Sequence, residues 1–217
     1  MEREFWIQRW QEGQIGFHQQ QVNEYLTRHW PKLGSDVKRV LVTLCGKSKD
    51  MLWLAEQGCK VTGVEISQLA VEAFFSENKL AVEKTEKGNF IRYDSGAFSL
   101  WCGDFFSLQA SDIEGIVTVF DRASLIALPP SMRQQYAKHL ASLLPSKSKV
   151  LLVTMEYPQE EMNGPPFAVH KDEVMELYQS TFDLECLEES DILALNPQFR
   201  ERGLSQLKER IWLMTRK

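Results

Sequence analysis

Two residues carry the clearest chemical content: Gly46, a lone glycine in a tight turn, and Glu65, a carboxylate nineteen positions later. A glycine lets the chain turn sharply and lets a ligand approach bare backbone. An acid at the tip of the second strand is where nucleotide-binding α/β folds hold the two ribose hydroxyls. Dinucleotide sites require G-x-G-x-x-G, because a pyrophosphate must lie against the backbone and the helix start. Here the turn reads Leu44-Cys45-Gly46-Lys47-Ser48-Lys49-Asp50, with one glycine. S-adenosylmethionine has no phosphate and needs one close backbone approach. The pair therefore points to a methylsulfonium donor with an adenosine ribose; the alternative is a plain βαβ unit with a chance Glu.

The elements that must position this pair are legible around it. Val40, Leu41, Val42 and Leu44 form an apolar run with no wet face, as a buried parallel strand requires. Met51, Leu52, Leu54 and Ala55 give the next segment one apolar face at helical spacing, and Gly58 stops it. A second run, Val61 to Val64, delivers Glu65. Upstream, the patterning predicts amphipathic helices over 2–11 and about 19–29. Downstream it predicts a helix over 67–80 with Ser67 as its cap, a polar loop over 84–88, and strands at 90–93 and 98–102 flanking a hairpin turn at Asp94-Ser95-Gly96. Further strands fall near 116–120, 150–155, 183–188 and 207–215, with helices over 130–144 and about 171–181. The last two strands have no long helix between them and should pair antiparallel. The expected fold is α/β: a Rossmann-like, doubly wound, seven-stranded sheet, mostly parallel with its last strand antiparallel. It forms one domain over 1–217, with residues 1–30 as an N-terminal helical cover over the cofactor.

In an open α/β sheet, ligands bind beyond the carboxyl ends of the strands, which selects further candidates. Gly103-Asp104-Phe105 follows the strand at 98–102, where Asp104 either accepts from an adenine amino group, with Phe105 against the ring, or caps a turn. Asp121-Arg122 follows the strand at 116–120. The guanidinium there either pairs with a methionyl carboxylate or substrate anion, or forms a structural pair with Asp121. Glu156 reads as structural. Trp6, Trp10 and Phe17 precede the core; as a lid they would exclude water from methyl transfer, and the alternative is a helix packed on the sheet edge. His18 is a candidate base or a hydrogen-bonded scaffold residue. The remaining histidines give no metal-ligand spacing, so no metal is expected.

Bulk properties narrow the class. The 217 residues suit one domain with a sizeable core, and 43% hydrophobic with 25% charged residues is a soluble globular composition. The net charge of -5 argues against a nucleic-acid surface. Cys45, Cys59, Cys102 and Cys186 are scattered without a C-x-x-C pair, which reads as reduced thiols in a cytoplasmic setting. The N-terminus lacks the apolar stretch of a signal peptide, and no run approaches the ~18 residues of a membrane span. A monomer is expected.

Together these residues resemble the bacterial thiopurine S-methyltransferases. The matching pieces are Trp6-x-x-x-Trp10 with Gly16-Phe17-His18-Gln19, Leu44-Cys45-Gly46-Lys47, Gly63-Val64-Glu65-Ile66-Ser67, Asp121-Arg122-Ala123, and Gly164-Pro165-Pro166-Phe167. They span nearly the whole chain in the family's order. The resemblance implies cofactor contacts at Trp10, Leu44, Glu65 and Arg122, with Trp6 through Phe17 wrapping the cofactor, further contacts around Asp104 and Phe105, and a place near the acceptor for Phe17; Gly46 as a cofactor contact and Arg122 as a substrate contact come from the residue reading above. The position of Asp104 is not uniform in the family, and Arg200 and Arg202 lie in a stretch that varies more. The implied activity moves a methyl group from S-adenosylmethionine, leaving S-adenosylhomocysteine, to the sulfur of thiopurines or other aromatic thiols, or to selenium or tellurium species. Thiolate and sulfonium lose their charges together, so a dry pocket favours the reaction. Asp121 and Arg122 then contribute by positioning more than by acid–base catalysis.

Four rivals bear on this expectation. A short-chain reductase would need a Tyr-x-x-x-Lys pair, which none of the five tyrosines has. Asn163-Gly164-Pro165-Pro166-Phe167 is similar to the [DN]-P-P-[FY] signature of nucleic-acid amino-methyltransferases, but it follows the fifth buried run, and Gly164 stands where the amide or carboxylate belongs. A catalytically silent S-adenosylmethionine-binding protein has no sequence feature against it, nor does a methyltransferase acting on a different small molecule.

Overall fold

Burial of the apolar runs organises the chain. In the computed structural model, which describes residues 3–217, Val40 and Leu41 are fully buried in β1 (Arg39–Val42), and Val61 and Val64 in β2 (Lys60–Glu65). The chain divides into two units, one ending at Phe120 and one beginning at Asp121. The first contains α1 (Arg3–Gln11), α2 (Glu24–His29), β1, α3 (Asp50–Glu56), β2, α4 (Gln68–Glu77), β3 (Glu83–Lys87), β4 (Phe90–Ser95), β5 (Phe98–Cys102) and most of β6 (Thr118–Arg122). The second opens with Asp121 and Arg122 and continues through α5 (Pro130–Leu143), β7 (Lys149–Glu156), α6 (Lys171–Tyr178), β8 (Phe182–Asp191), α7 (Pro197–Glu201) and β9 (Lys208–Arg216). Glu2, part of the expected first helix, lies outside the described residues.

The strands of the first unit run in the order β3-β4-β5-β2-β1-β6. β1 is parallel to β2 and β6, and β2 is parallel to β5. The register sets Glu65 beside Cys102, so the carboxyl ends of β2 and β5 finish level. Helix α4 covers one face: Phe74 packs edge-on against Phe98 at 5.2 Å and Phe75 stacks on Tyr93 at 6.2 Å. Each such buried ring contributes about 1.5–3 kcal/mol. In the second unit, β9 lies between β7 and β8 and is antiparallel to both.

The α/β class holds, and four details of the expectation do not. There are nine strands among the described residues rather than seven. The antiparallel content is larger than one strand, because β3, β4 and β5 also form an antiparallel meander. The expected loop at 84–88 is largely β3, an exposed edge strand whose Glu-Lys-Thr-Glu-Lys sequence carries no buried face to betray it. The second helix starts at Glu24 rather than near 19, because the Asn23 side chain caps it by accepting from the Tyr25 and Leu26 N–H groups. The cap predicted at Ser67 is present, accepting from Ala70 N–H.

Candidate active site

The turn after β1 is built around unusual backbone. Leu44 has φ 44° and Gly46 φ 51°, so two of three consecutive residues are left-handed. A side chain there is disfavoured by sterics, and such outliers persist where surrounding structure enforces them. Two contacts do so. Cys45 N–H donates to the Val64 carbonyl at 2.9 Å, and Gly46 N–H donates to Glu65 Oε2 at 2.9 Å. The second carboxylate oxygen, Oε1, accepts from Ser67 N–H at 2.8 Å. Glu65 is therefore fixed by backbone on both sides, one strand away from the turn.

The electrostatics of Glu65 are a contest. Burial raises its pKa, while the N–H groups of Ser67, Gly46 and Ile66 act downward; burial wins, and the carboxyl sits above its ordinary value. The same acid raises two neighbouring thiols after burial has done most of the work: Cys45 well above its usual range, and Cys102 to about 11. Burial and the neighbouring acid thus favour the thiol over the thiolate at both cysteines.

The N-terminal aromatics lie on this turn. A Cβ added to Gly46 would stand 3.1 Å from Trp10 Cζ2, so the absence of a side chain there is what admits the indole. Trp10 is buried, and Phe17 stands edge-on to both Trp6 (5.6 Å) and Trp10 (5.5 Å) while remaining 38% exposed. A buried carboxylate holds this segment in place. Asp50, at the start of α3, accepts from Asn23 N–H at 2.8 Å and from Ser48 Oγ at 2.9 Å, tying the N-terminal segment to the turn after β1. Sequence reading misses Asp50, because its partner is 27 residues away.

At the end of β5, Gly103 N–H donates to the Glu65 carbonyl at 2.9 Å, which keeps the next residue near the level of the acid. Asp104 is exposed and accepts from Phe106 N–H at 2.9 Å, so it caps the 3-10 turn Phe105–Ser107. Phe105 is buried, edge-on to Phe106. Of the candidates, the first unit gathers Trp6, Trp10, Phe17, Leu44, Gly46 and Glu65 around one turn, with Asp104 and Phe105 after the adjoining strand.

In the second unit, Asp121 is fully buried and accepts from Tyr136 Oη–H of α5 at 2.7 Å. Its negative charge adds to burial in raising the Tyr178 hydroxyl well above its usual range. Arg122 is half-buried beside it, and Ala123 follows with φ 66°. Glu156 belongs to an ion network: Arg210 binds it through Nη1 and binds Glu189 through Nε at 2.6 Å, and His170 Nδ1 stands 3.6 Å from it. Burial pushes the Glu156 carboxyl up, but the Arg210 bond and charge outweigh it and leave it below the ordinary value. His18 donates its backbone N–H to Ile15.

The turn and its acid fit S-adenosylmethionine. Two backbone N–H groups fix the Glu65 oxygens without using all of the about four lone-pair sites a carboxylate offers. No group of three or more metal-ligating side chains occurs among the described residues.

Comparison with known proteins places the chain. The model of the family "Thiopurine S-methyltransferase (TPMT)" matches residues 1–217. A thiopurine S-methyltransferase of Nitrosospira multiformis is 49% identical over 215 residues, covering 99% of this chain and 98% of that protein. One from Pseudomonas fluorescens is 50% identical over 213 residues, with 98% of each covered. Among solved structures, a SAM-dependent methyltransferase from Anabaena variabilis superposes with TM-score 0.66 at 14% identity, over 99% of this chain and 95% of that one. A Burkholderia thailandensis 1,6-didemethyltoxoflavin-N1-methyltransferase with bound S-adenosylhomocysteine gives TM-score 0.65 at 14% identity, over 99% and 86%. At that identity the solved structures speak for the fold. The two left-handed residues of the turn, the backbone-held acid beyond it and the full-length match agree: this chain belongs to the thiopurine S-methyltransferase family.

Proposed function

We propose that this chain transfers a methyl group from S-adenosylmethionine to the sulfur of thiopurines or other aromatic and heterocyclic thiols, with selenium and tellurium species as further acceptors. The observation that carries the reading is the buried Glu65 carboxylate, oriented by the Gly46 and Ser67 N–H groups at a one-glycine turn. S-adenosylmethionine supplies the methyl group on a cationic sulfur. Glu65 would hold the ribose, Leu44 and Gly46 the close backbone approach, Asp104 and Phe105 the adenine, and Arg122 the methionyl carboxylate. Trp6 and Trp10 would close over them, and Phe17 and Arg122 would meet the acceptor.

The chemistry asks these residues for dryness and orientation. A thiolate that loses its charge on methylation reacts faster where water cannot stabilise the separated ions, and the Trp6–Phe17–Trp10 cluster would exclude water once closed over the donor; the edge-on packing of its rings supports this. A guanidinium at Arg122 raises the thiolate fraction of an acceptor whose free thiol pKa is ~8.5 or lower. Asp121, buried and held by Tyr136, serves to orient the strand end that presents Arg122. The reading includes a monomer acting in the cytoplasm on a small molecule, without nucleic acid or membrane. The net charge of -5 and four free cysteines support it, and among the described residues no helix is long and apolar enough to cross a membrane.

The test is methyl transfer from labelled S-adenosylmethionine to a panel of thiols and selenols. Saturable label in an aromatic thiol is the expected result. Binding of the donor with no transfer to any member would make this a silent binder and end the enzyme reading.

A further inference from the structure

Arg133 is a charge in an unlikely place. It lies on α5 with 1% of its side chain exposed, where a guanidinium is costly unless its donors are used. Its Nη1 donates to both oxygens of Glu173 on α6, at 2.7 and 2.6 Å. Its Nε donates to the Leu128 carbonyl at 2.9 Å. Nη2 is buried with no hydrogen-bond partner among the described residues. A pair kept for stability alone would be replaceable by apolar side chains that avoid this cost.

What the guanidinium grips is a loop. Leu128 closes the segment that runs from β6 to α5. The same segment receives a hydrogen bond from the segment after β7: Phe167 N–H donates to the Ile126 carbonyl at 2.7 Å. That second segment is itself tied down. Tyr157 Oη–H donates to the Pro166 carbonyl at 2.6 Å, while Gln159 donates to the Met162 carbonyl at 2.6 Å and accepts from Ala168 N–H at 2.9 Å. The Arg133 charge also reaches the Tyr157 hydroxyl, working against the burial that raises it. The two loops leave the carboxyl ends of β6 and β7, the end at which open α/β sheets bind ligands. They form one hydrogen-bonded body with Arg133 at its base.

We propose that Arg133 is a positioning residue for acceptor recognition: its fork, held by Glu173, fixes the loop after β6, and through Ile126 and Phe167 the loop after β7, as one wall of the acceptor site. This rests on the S-methyltransferase reading above. A lysine cannot do the same work, because a point charge on a flexible stem does not engage a carbonyl and a carboxylate in fixed geometry.

The experiment uses the full chain, first as wild type and then as Arg133→Lys, Glu173→Gln and Tyr157→Phe. For each we would measure kcat and KM with a heteroaromatic thiol and with a small aliphatic thiol, the affinity for S-adenosylmethionine by calorimetry, and Tm. The variants should raise KM for the heteroaromatic thiol about tenfold and shift the ratio of the two kcat/KM values about fivefold, with donor affinity within about twofold of wild type. Folded variants with a lowered Tm but unchanged acceptor KM and unchanged ratio would show Arg133 to be purely structural and overturn the proposal. Tyr157→Phe keeps its ring and carries the same test should Arg133→Lys fail to fold. A wild type that methylates no thiol would overturn the activity itself, and with it this inference, before any variant is compared.

Discussion

At the scale of the residue, Glu65 decides the most. Its folded pKa is raised, so below the ordinary value of 4.5 the protein carries no penalty from it, and stability is lost as pH rises through the raised value and the buried charge forms. Donor binding runs the other way, because ribose hydroxyls bond best to the charged form. Affinity for S-adenosylmethionine should therefore strengthen with rising pH across an interval that begins above 4.5, and Glu65→Gln should flatten that dependence; calorimetry at a series of pH values reads both. Arg122→Ala should raise the KM of donor or acceptor, and unchanged kinetics would remove Arg122 from the site. Tyr136→Phe leaves a buried carboxylate short of one bond and should lower stability by about 1.5–3 kcal/mol, read by urea unfolding. The place of Glu65 at the end of β2, against the one-glycine turn, was legible in the sequence because it follows from spacing. Asp50 and Arg133 were not: each is a charged residue buried against expectation, and their partners lie 27 and 40 residues away, where no local pattern reaches.

At the scale of the element, the sheet and helices depend on close approaches that specific small residues permit. A Cβ on Gly63 would fall 2.6 Å from Leu100 Cδ2 and 2.7 Å from Cys45 Sγ, so β2 needs glycine where the turn packs on it. Gly63→Ala should cost about 1–3 kcal/mol by overpacking, seen as a lowered urea midpoint. Ser67→Ala removes the cap of α4 and should cost about 1 kcal/mol by the same measurement. The parallel strands β1, β2 and β6 could be read from their apolar runs, as strands buried on both faces allow, and β5 from the hairpin turn before it. β3 could not, since a fully exposed edge strand of alternating charges has the composition of a loop. Asn23 lies within the expected helix, and only its side chain's turn back onto Tyr25 and Leu26 N–H marks it as the boundary.

At the scale of the whole molecule, the outermost strands of the sheet, β3 and β8, are guarded edges. β3 carries charged residues along its length, and β8 is rich in acids and bulged between Cys186 and Glu188. Edges of this kind resist pairing with another chain. Sedimentation should give one species of 25.1 kDa, and a dimer would contradict that. The central claim concerns the donor cleft, and titration of S-adenosylhomocysteine into wild type and Glu65→Gln tests it most directly. Loss of bonds to a charged acceptor is worth about 1.5–3 kcal/mol, so binding to the wild type and roughly 10- to 100-fold weaker binding to the variant are predicted. No binding to the wild type, or equal binding to both, would contradict the account.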